Sequence, residues 1–292
     1  MKISNHTNIL EKRFGTIRAI RMNCEAGFEA VDYSMYETDL PVFSRGATAL
    51  IKEMRRVIDS CGAVFNQAHA PYTKFRLGAE NTDRNREIFS YVKRSVEIAA
   101  ELGAASIVVH PAFICRNLSA DERYEMNMQM YEALLPTARS YGINIAIENM
   151  WGRHKDNRDK IVKDVCSDAA ELIRYVDGLD SQYVCACLDV GHAGLVGESA
   201  EQMILSLGNR IGAIHIHDND FIRDLHTLPY LGNIDFSQIS AALAQISYRG
   251  DVTLEADCFL EEIPDALVPD ALKFSAKIAA YIRDEINTPR KM

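Results

Sequence analysis

The sequence lacks several features that mark whole classes of protein. No uninterrupted apolar run approaches the ~20 residues that a membrane-spanning helix needs, and the first residues, MKISNHTNILEKRFG, lack the apolar core of a signal peptide. The 32 Lys and Arg against 41 Asp and Glu leave a formal net charge of −9, whereas nucleic-acid-binding proteins gather basic residues. These absences predict a cytoplasmic protein whose main partner is neither a membrane nor a nucleic acid.

Cysteine is present but forms no spaced framework among its seven positions. Cys185 and Cys187 would lie on one face of a strand, which is poor geometry for a mutual disulfide. The cysteines are therefore typical of reduced thiols inside the cell. The chain also lacks a GxGxxG turn after its first strand, the usual mark of a dinucleotide-binding sheet. No linker or shift in composition divides it, so we expect a single domain over residues 1–292.

What the sequence does contain is an eightfold alternation of short β-branched runs and longer amphipathic segments. One such segment, residues 119–142, has Ser119 as a candidate N-cap and Gly142 as a candidate C-cap. Alternating strands and helices predict a parallel sheet, and eight units predict an α/β fold, a single (β/α)8 TIM barrel. An open doubly wound sheet is the alternative. The predicted strands are residues 2–7, 30–35, 64–70, 106–112, 144–150, 184–190, 212–218 and 251–257.

Within these strands, large aliphatic residues occupy one set of alternate positions, and small or polar residues occupy the other set. In the stretch IGAIHIHDND (211–220), Ile214 and Ile216 alternate with His215 and His217. Alternate residues of a barrel strand face the interior, and the others face the helices. The histidines are therefore expected to point into the barrel and the isoleucines towards the helices. The same rule places Val108, Ala146, Cys187, Ala213 and Thr253 inside.

Six consecutive strands each carry a polar residue near the carboxyl-terminal end, at a position that faces the barrel interior. Barrel enzymes build their active sites at these ends. Buried carboxylates and imidazoles that converge there would lack partners unless a cation held them. Mixed nitrogen and oxygen ligands suit Mn²⁺, Zn²⁺, Co²⁺ or Fe²⁺ better than Ca²⁺, so the pattern predicts one divalent metal. By contrast, His6 and His154 are interpreted as ordinary surface or loop histidines. The inward polar residues are His69, His110, Glu148, Asp189, His217 and Glu255.

Short motifs in strands three to eight resemble those of the xylose isomerase-like barrel superfamily. This is the broad sugar phosphate isomerase/epimerase group, which also contains AP endonucleases of the endonuclease IV type. The resemblance to its sugar epimerases implies that Glu148, Asp189, His217 and Glu255 bind one metal and that His192 contacts substrate. His215, one pleat deeper than His217, is expected to support a ligand. The motifs are HAPY (69–72), VVHP (108–111), IENM (147–150), LDVGH (188–192), HIHDND (215–220), DLH (224–226), GNID (232–235) and LEAD (254–257).

The resemblance implies a metal-dependent isomerase or epimerase of a sugar, polyol or sugar phosphate. Glu148 and Glu255 would serve as acid and base, one removing a proton and the other returning it through a metal-stabilised enediolate. Trp151 and Arg153, just past the Glu148 strand, would stack on a sugar ring and bind an anionic group; the alternative is an ordinary loop cap. The same apparatus suits a dehydration, as in inosose dehydratase relatives. Barrels of this kind are often homo-oligomers.

The resemblance also carries an alternative, a phosphodiesterase of the AP endonuclease type with up to three Zn²⁺ ions and abasic DNA as its partner. Several departures from that type favour carbohydrate chemistry. NMWGRH (149–154) replaces the nuclease's TAGQG run, DLH (224–226) replaces DRH, and Tyr230 and Leu231 stand where Gly-Glu is usual. The nine nuclease ligand positions nevertheless all hold compatible residues: His69, His110, Glu148, Asp189, His192, His217, Asp224, His226 and Glu255.

Overall fold

A computed structural model describes residues 1–72, 83–112, 118–154 and 156–288 of the chain. Eight parallel strands form a nearly closed barrel, and a separate antiparallel pair forms a hairpin. The predicted (β/α)8 TIM barrel is therefore confirmed. The strands are β1 (Ile3–His6), β2 (Ala30–Ser34), β3 (Val64–His69), β4 (Ser106–Val109), β5 (Asn144–Glu148), β6 (Trp151–Arg153), β7 (Ile161–Lys163), β8 (Val184–Asp189), β9 (Ile211–His215) and β10 (Val252–Leu254).

The helices surround this barrel and connect its strands. Most of them carry one apolar face that packs on the outer surface of the sheet, as amphipathic helices do. No helix in the described ranges is both long and apolar enough to cross a bilayer. The helices are α1 (Asn8–Phe14), α2 (Thr16–Ala26), α3 (Ala47–Ser60), α4 (Asp83–Leu102), α5 (Ala120–Tyr141), α6 (Ala169–Gly178), α7 (Val190–Leu195), α8 (Ala200–Leu207), α9 (Phe236–Gln245) and α10 (Val268–Asn287).

The order of the strands excludes the open doubly wound alternative. The barrel strands follow the order β10-β1-β2-β3-β4-β5-β8-β9, each hydrogen-bonded to its neighbours. The two ends of this series meet at Ile216, whose amide donates to the Thr253 carbonyl at 2.9 Å and whose carbonyl accepts from the Glu255 amide at 3.1 Å. This bridge holds the segment that carries His217 against the segment that carries Glu255.

The predicted alternation of inward and outward side chains is seen in the structure as two separate apolar clusters. The larger cluster lies between sheet and helices and includes Ile107, Ile145, Ile214 and Ile216. The smaller cluster is the floor of the barrel interior, and its small side chains leave room for polar groups above them. Its buried members are Val108, Ala146, Cys187 and Ala213.

A hairpin interrupts the connection between β5 and α6. Strands β6 and β7 pair antiparallel, with Gly152 opposite Val162. A Cβ at Gly152 would lie 2.8 Å from Asp164 Oδ2, so any larger residue here would displace the Asp164 side chain. The eightfold pattern does not predict this hairpin, because strands of three residues are too short for an alternating signal.

Candidate active site

The predicted site residues do converge at the carboxyl-terminal mouth of the barrel. His69, Glu148 and Asp189 are the last residues of β3, β5 and β8. His217 and Glu255 lie just beyond β9 and β10, where the bridge at Ile216 fixes them. All five side chains are buried. Strand ends from distant parts of the chain therefore share one small volume.

Three carboxylates and one histidine form the centre of the mouth. One ligand atom from each lies within 4.8 Å of all the others. His215 Nδ1 lies 2.7 Å from Glu148 Oε1 and 3.1 Å from Glu255 Oε2, so one imidazole contacts both predicted acid/base residues. This contact agrees with the supporting role expected of His215. The group consists of Glu148, Asp189, His215 and Glu255.

A second group joins two imidazoles to the same glutamate. The Nε2 atoms of His69 and His110 are 3.0 Å apart, and Glu148 Oε2 lies 3.5 Å from the first and 2.6 Å from the second. His69 Nδ1 lies 2.7 Å from the Ala70 carbonyl. Because a carbonyl only accepts, Nδ1 donates to it, and Nε2 faces His110 and Glu148, the orientation of a metal-binding histidine.

The third group contains His217, which the structure places with other imidazoles. Its ring stacks on that of His226 with centroids 3.9 Å apart. Its Nε2 lies 3.0 and 3.1 Å from the two oxygens of Asp189, so Asp189 connects this group to the carboxylate centre. A Cβ at Gly191 would clash with the His217 ring, which explains the glycine of the LDVGH motif. The group consists of His192, His217, Asp224 and His226.

Two histidines of the third group also have fixed orientations. His192 Nδ1 lies 2.9 Å from the Asn149 carbonyl, and His226 Nδ1 lies 2.8 Å from the Glu255 carbonyl. Each ring therefore turns its Nε2 towards Asp224, at 3.9 and 3.2 Å respectively. Carbonyl-anchored imidazoles with inward Nε2 atoms are the usual arrangement of metal-binding histidines.

The electrostatics of the mouth fit a bound cation. Burial alone raises the pKa of Glu148 and of Glu255, but the charges and hydrogen bonds of the adjacent histidines, His215 foremost, together outweigh it and hold both pKa values well below the ordinary range. Both groups are therefore ionised at neutral pH. Glu148 Oε2 makes no hydrogen bond within the described part of the chain despite its complete burial. A buried carboxylate oxygen that faces two imidazole nitrogens without a hydrogen bond fits a divalent metal.

Glu255 has a second environment that the sequence did not reveal. Tyr36 donates its phenol proton to Glu255 Oε1, and the same hydroxyl lies 3.1 Å from His6 Nδ1. His6 Nε2 in turn lies 3.1 Å from Asp257 Oδ1. The interpretation of His6 as a surface or loop residue is wrong, since its side chain is buried at the end of β1. The signals that could have found this group are the position of His6 near the end of the predicted strand 2–7 and the alternation of Asp257 with Glu255.

A cavity of about 690 Å³ opens above the mouth and has the hairpin as part of its wall. Trp151 donates its indole N–H to Asp224 Oδ2 at 3.1 Å, and the Arg153 guanidinium carbon lies 4.9 Å from the Trp151 ring centroid. These two predicted substrate-binding residues and the third, His192, all line the cavity. Cavities of a few hundred cubic ångströms suit small-molecule ligands.

The fold and this mouth define the class of protein: a (β/α)8 barrel whose carboxyl-terminal rim gathers buried carboxylates and imidazoles. The chain belongs to the xylose isomerase-like TIM barrel family, whose sequence profile matches residues 23–278. The resemblance seen in the short motifs is therefore confirmed.

Curated relatives match part of the chain. An uncharacterised protein of Methanocaldococcus jannaschii is 28% identical over 191 residues, which are 64% of this chain and 62% of that protein. An L-ribulose 3-epimerase of Methylomonas is 29% identical over 143 residues, 48% of this chain and 44% of that enzyme. The chain thus spans less than two thirds of the length of these relatives.

Solved structures match over nearly the whole chain and establish the fold. A D-tagatose 3-epimerase-like protein superposes with a TM-score of 0.78 at 22% identity, covering 98% of both chains. The IolI protein, solved with a bound zinc atom, superposes with a TM-score of 0.72 at 15% identity and covers 100% of both chains.

Proposed function

We propose that this protein is a divalent-metal-dependent isomerase or epimerase of a sugar or a sugar derivative. The observation that carries the proposal is the buried convergence of Glu148, Asp189 and Glu255 with histidines beneath a cavity of about 690 Å³. Membership of the family and the ketose 3-epimerase among the relatives support the same chemistry.

In this proposal, Glu148, Asp189, His217 and Glu255 hold one divalent cation, as the resemblance implies. His215 supports both glutamates through Nδ1. When bound, such a cation polarises the carbonyl and a neighbouring hydroxyl of a sugar, which makes the adjacent carbon more acidic. Mn²⁺, Zn²⁺, Co²⁺ and Fe²⁺ all suit this mixture of ligands.

The two glutamates are suited to act as a pair of proton carriers. They come from β5 and from the end of β10, which two other strands separate in the barrel, so they approach a substrate from different sides. One carboxylate removes the proton beside the carbonyl, and the other returns a proton to the same carbon from the opposite side. Such a transfer inverts the carbon, which is an epimerisation. Trp151 would stack on the sugar from above.

Solvent isotope exchange tests this proposal directly. Protein loaded with Mn²⁺ is incubated with a panel of ketoses and inososes in D₂O, and NMR follows deuterium at the inverted carbon. We expect exchange and epimerisation in the wild type, and a loss of both by about 10²-fold or more in Glu148→Gln and Glu255→Gln. A product with one water fewer would instead assign a dehydratase.

A binding measurement separates catalysis from structure in these variants. Trp151 is the sole tryptophan, so its fluorescence reports binding at the cavity. Both glutamine variants should still bind the sugar while turnover is lost. Glu101→Gln, which alters a carboxylate paired with Arg94 on α4, is the matched control and should keep full activity. Binding of sugars without any exchange in the wild type would contradict the proposal.

A second candidate function rests on the two histidine groups that flank the carboxylate centre. His69 and His110 with Glu148, and His192, Asp224 and His226 with His217, form further sets of ligand atoms. This arrangement suits the trinuclear-zinc phosphodiesterase that acts on abasic DNA. Elemental analysis distinguishes the two candidates, because the epimerase requires about one metal per chain and the nuclease about three. Incision of an abasic duplex would establish the nuclease.

A further inference from the structure

One wall of the cavity is cationic, and Arg153 and Arg158 in it are exposed whereas the central carboxylates are buried. Arg153 comes from β6, Arg158 from the turn that follows, Lys163 from β7 and Arg123 from the first turn of α5. This concentration of positive side chains contrasts with the net charge of −9 for the whole chain.

Three of these cations have no carboxylate partner within 4.0 Å among the residues that the structure describes. Lys163 is different, because Glu198 lies 2.5 Å and Asp168 3.8 Å from its Nζ. Asp164 also lines the cavity but has an interaction of its own. The three unpaired cations are Arg123, Arg153 and Arg158.

One of the unpaired guanidinium groups is already oriented, and another carries a buried nitrogen without a partner among the described residues. The Arg153 group lies over the indole of Trp151, and its Nη1 donates to the Arg158 carbonyl at 2.8 Å. The Nε of Arg123 is buried and has no hydrogen-bond partner in the described ranges. A guanidinium held by stacking presents its remaining N–H donors in a planar fork, which matches the oxygens of a phosphate or carboxylate.

The cavity is therefore polarised, with carboxylates at its inner end and arginines at its outer end. We propose that the arginines bind an anionic group, phosphate or carboxylate, at the end of the substrate remote from the reacting carbon. This inference rests on the proposed function and adds the class of substrate: a ketose that carries a negative charge. A neutral sugar would leave the arginine wall without a partner.

Fluorescence of Trp151 tests the inference without requiring turnover. Metal-loaded protein is titrated with D-fructose, with D-fructose 6-phosphate, with a ketose that ends in a carboxylate, and with inorganic phosphate. We expect one of the two anionic ketoses to bind at least about tenfold more tightly than D-fructose. Which of them binds more tightly identifies the anion.

Variants connect that preference to the arginines. In Arg153→Met and Arg158→Met, which keep an apolar stem, the ratio of the affinity for the anionic ketose to that for D-fructose should fall about tenfold. Arg174→Met is the matched control, because Arg174 also lies over an aromatic ring, that of Tyr124, but outside the cavity. It should change neither affinity.

Two results would overturn the inference. One is equal affinity for the neutral and anionic ketoses, and the other is tighter binding of an abasic DNA duplex than of either anionic ketose. Epimerisation of neutral sugars alone would refute the anionic subsite and leave the proposed function intact. Selective binding of an anionic ketose without epimerisation would support the anionic subsite and contradict the proposed function.

Discussion

At the scale of single residues, the two central glutamates differ in what surrounds them. Glu148 faces imidazoles, since His110 and His215 both approach its oxygens within 3 Å. Glu255 shares His215 but also accepts the proton of Tyr36, which leads to His6. We therefore expect the two carboxylates to differ in orientation and in basicity, as separate acid and base roles require.

Removal of the Tyr36 phenol should impair catalysis and spare binding. Burial, together with the charge of Glu255, holds the pKa of Tyr36 well above its usual value, so the phenol stays protonated and donates. Tyr36→Phe removes a hydrogen bond to a charged acceptor, worth about 1.5–3 kcal/mol, so we expect kcat to fall about tenfold or more. The measurement is steady-state kinetics at saturating metal, with the Trp151 titration for affinity.

A matched change elsewhere controls for the loss of a hydroxyl. Tyr141→Phe alters an exposed tyrosine at the end of α5 and should leave kcat unchanged. If Tyr36→Phe raised KM and left kcat intact, Tyr36 would contribute to binding and would not position Glu255.

At the scale of elements, α5 illustrates how local sequence sets a boundary. Both predicted ends are confirmed: Ser119 accepts from the Glu122 amide at 3.3 Å, Glu122 accepts from the Ser119 amide at 2.7 Å, and Gly142 is left-handed with φ of 68°. This reciprocal pair is a capping box.

Loss of this cap should destabilise the protein measurably. We expect Ser119→Ala to lower the free energy of unfolding by about 1 kcal/mol, because the Glu122 amide loses its side-chain acceptor and the Glu122 carboxylate loses the Ser119 hydroxyl. Urea denaturation measures the change. Ser90→Ala, an exposed serine inside α4, should change stability by less than about 0.5 kcal/mol. Equal effects in the two variants would show that the capping box contributes nothing.

The barrel could be predicted from sequence because its signals are local. Short β-branched runs between amphipathic segments identified the eight strands, and their alternation with period two placed Val108 and Ala213 inside the barrel, as the interior cluster confirms. The bond between Tyr36 and Glu255 spans 219 positions and leaves no local pattern. Parity also cannot separate His215 from His217, since both point inward, and only the packing of the strand ends assigns them to different groups.

At the scale of the whole molecule, the buried charges predict how stability depends on pH when metal is absent. Burial lowers the pKa of His226, but the charge and hydrogen bond of Asp224 together with the charges of Glu255 and Asp189 outweigh it and raise that pKa well above 6.5. The stabilisation from His226 is therefore complete below 6.5 and is lost as pH rises through its raised pKa. The depressed pKa values of Glu148 and Glu255 have the opposite effect, since their stabilisation is lost as pH falls below 4.5.

The metal-free protein should thus be most stable between pH 4.5 and 6.5. Above that range, we expect its melting temperature to fall by about 2–4 °C for each kcal/mol lost. Added Mn²⁺ should abolish most of this alkaline loss, because the cation replaces the protons on the imidazoles. Thermal melts across pH, with Mn²⁺ or with a chelator, measure both effects. Identical profiles in the two conditions would contradict a metal at this mouth.

Three expectations at this scale stay predictions: a single domain over residues 1–292, the location in the cell, and assembly into a homo-oligomer. The alternation along the strands and the motifs at their ends carry information about the interior of one barrel and not about its outer surface. Quaternary contacts depend on the outer faces of helices, where many sequences satisfy the same solvent-exposed pattern.

The floor and one wall of this cavity have different origins in the chain. The groups that we propose to hold the reacting atoms come from separate strands, whose ends the barrel fixes. The tryptophan and two of the arginines that would meet the rest of the substrate all lie in the single excursion between β5 and α6. A graft of that one segment from another member of the family would therefore change which molecule is accepted while leaving the reaction itself untouched.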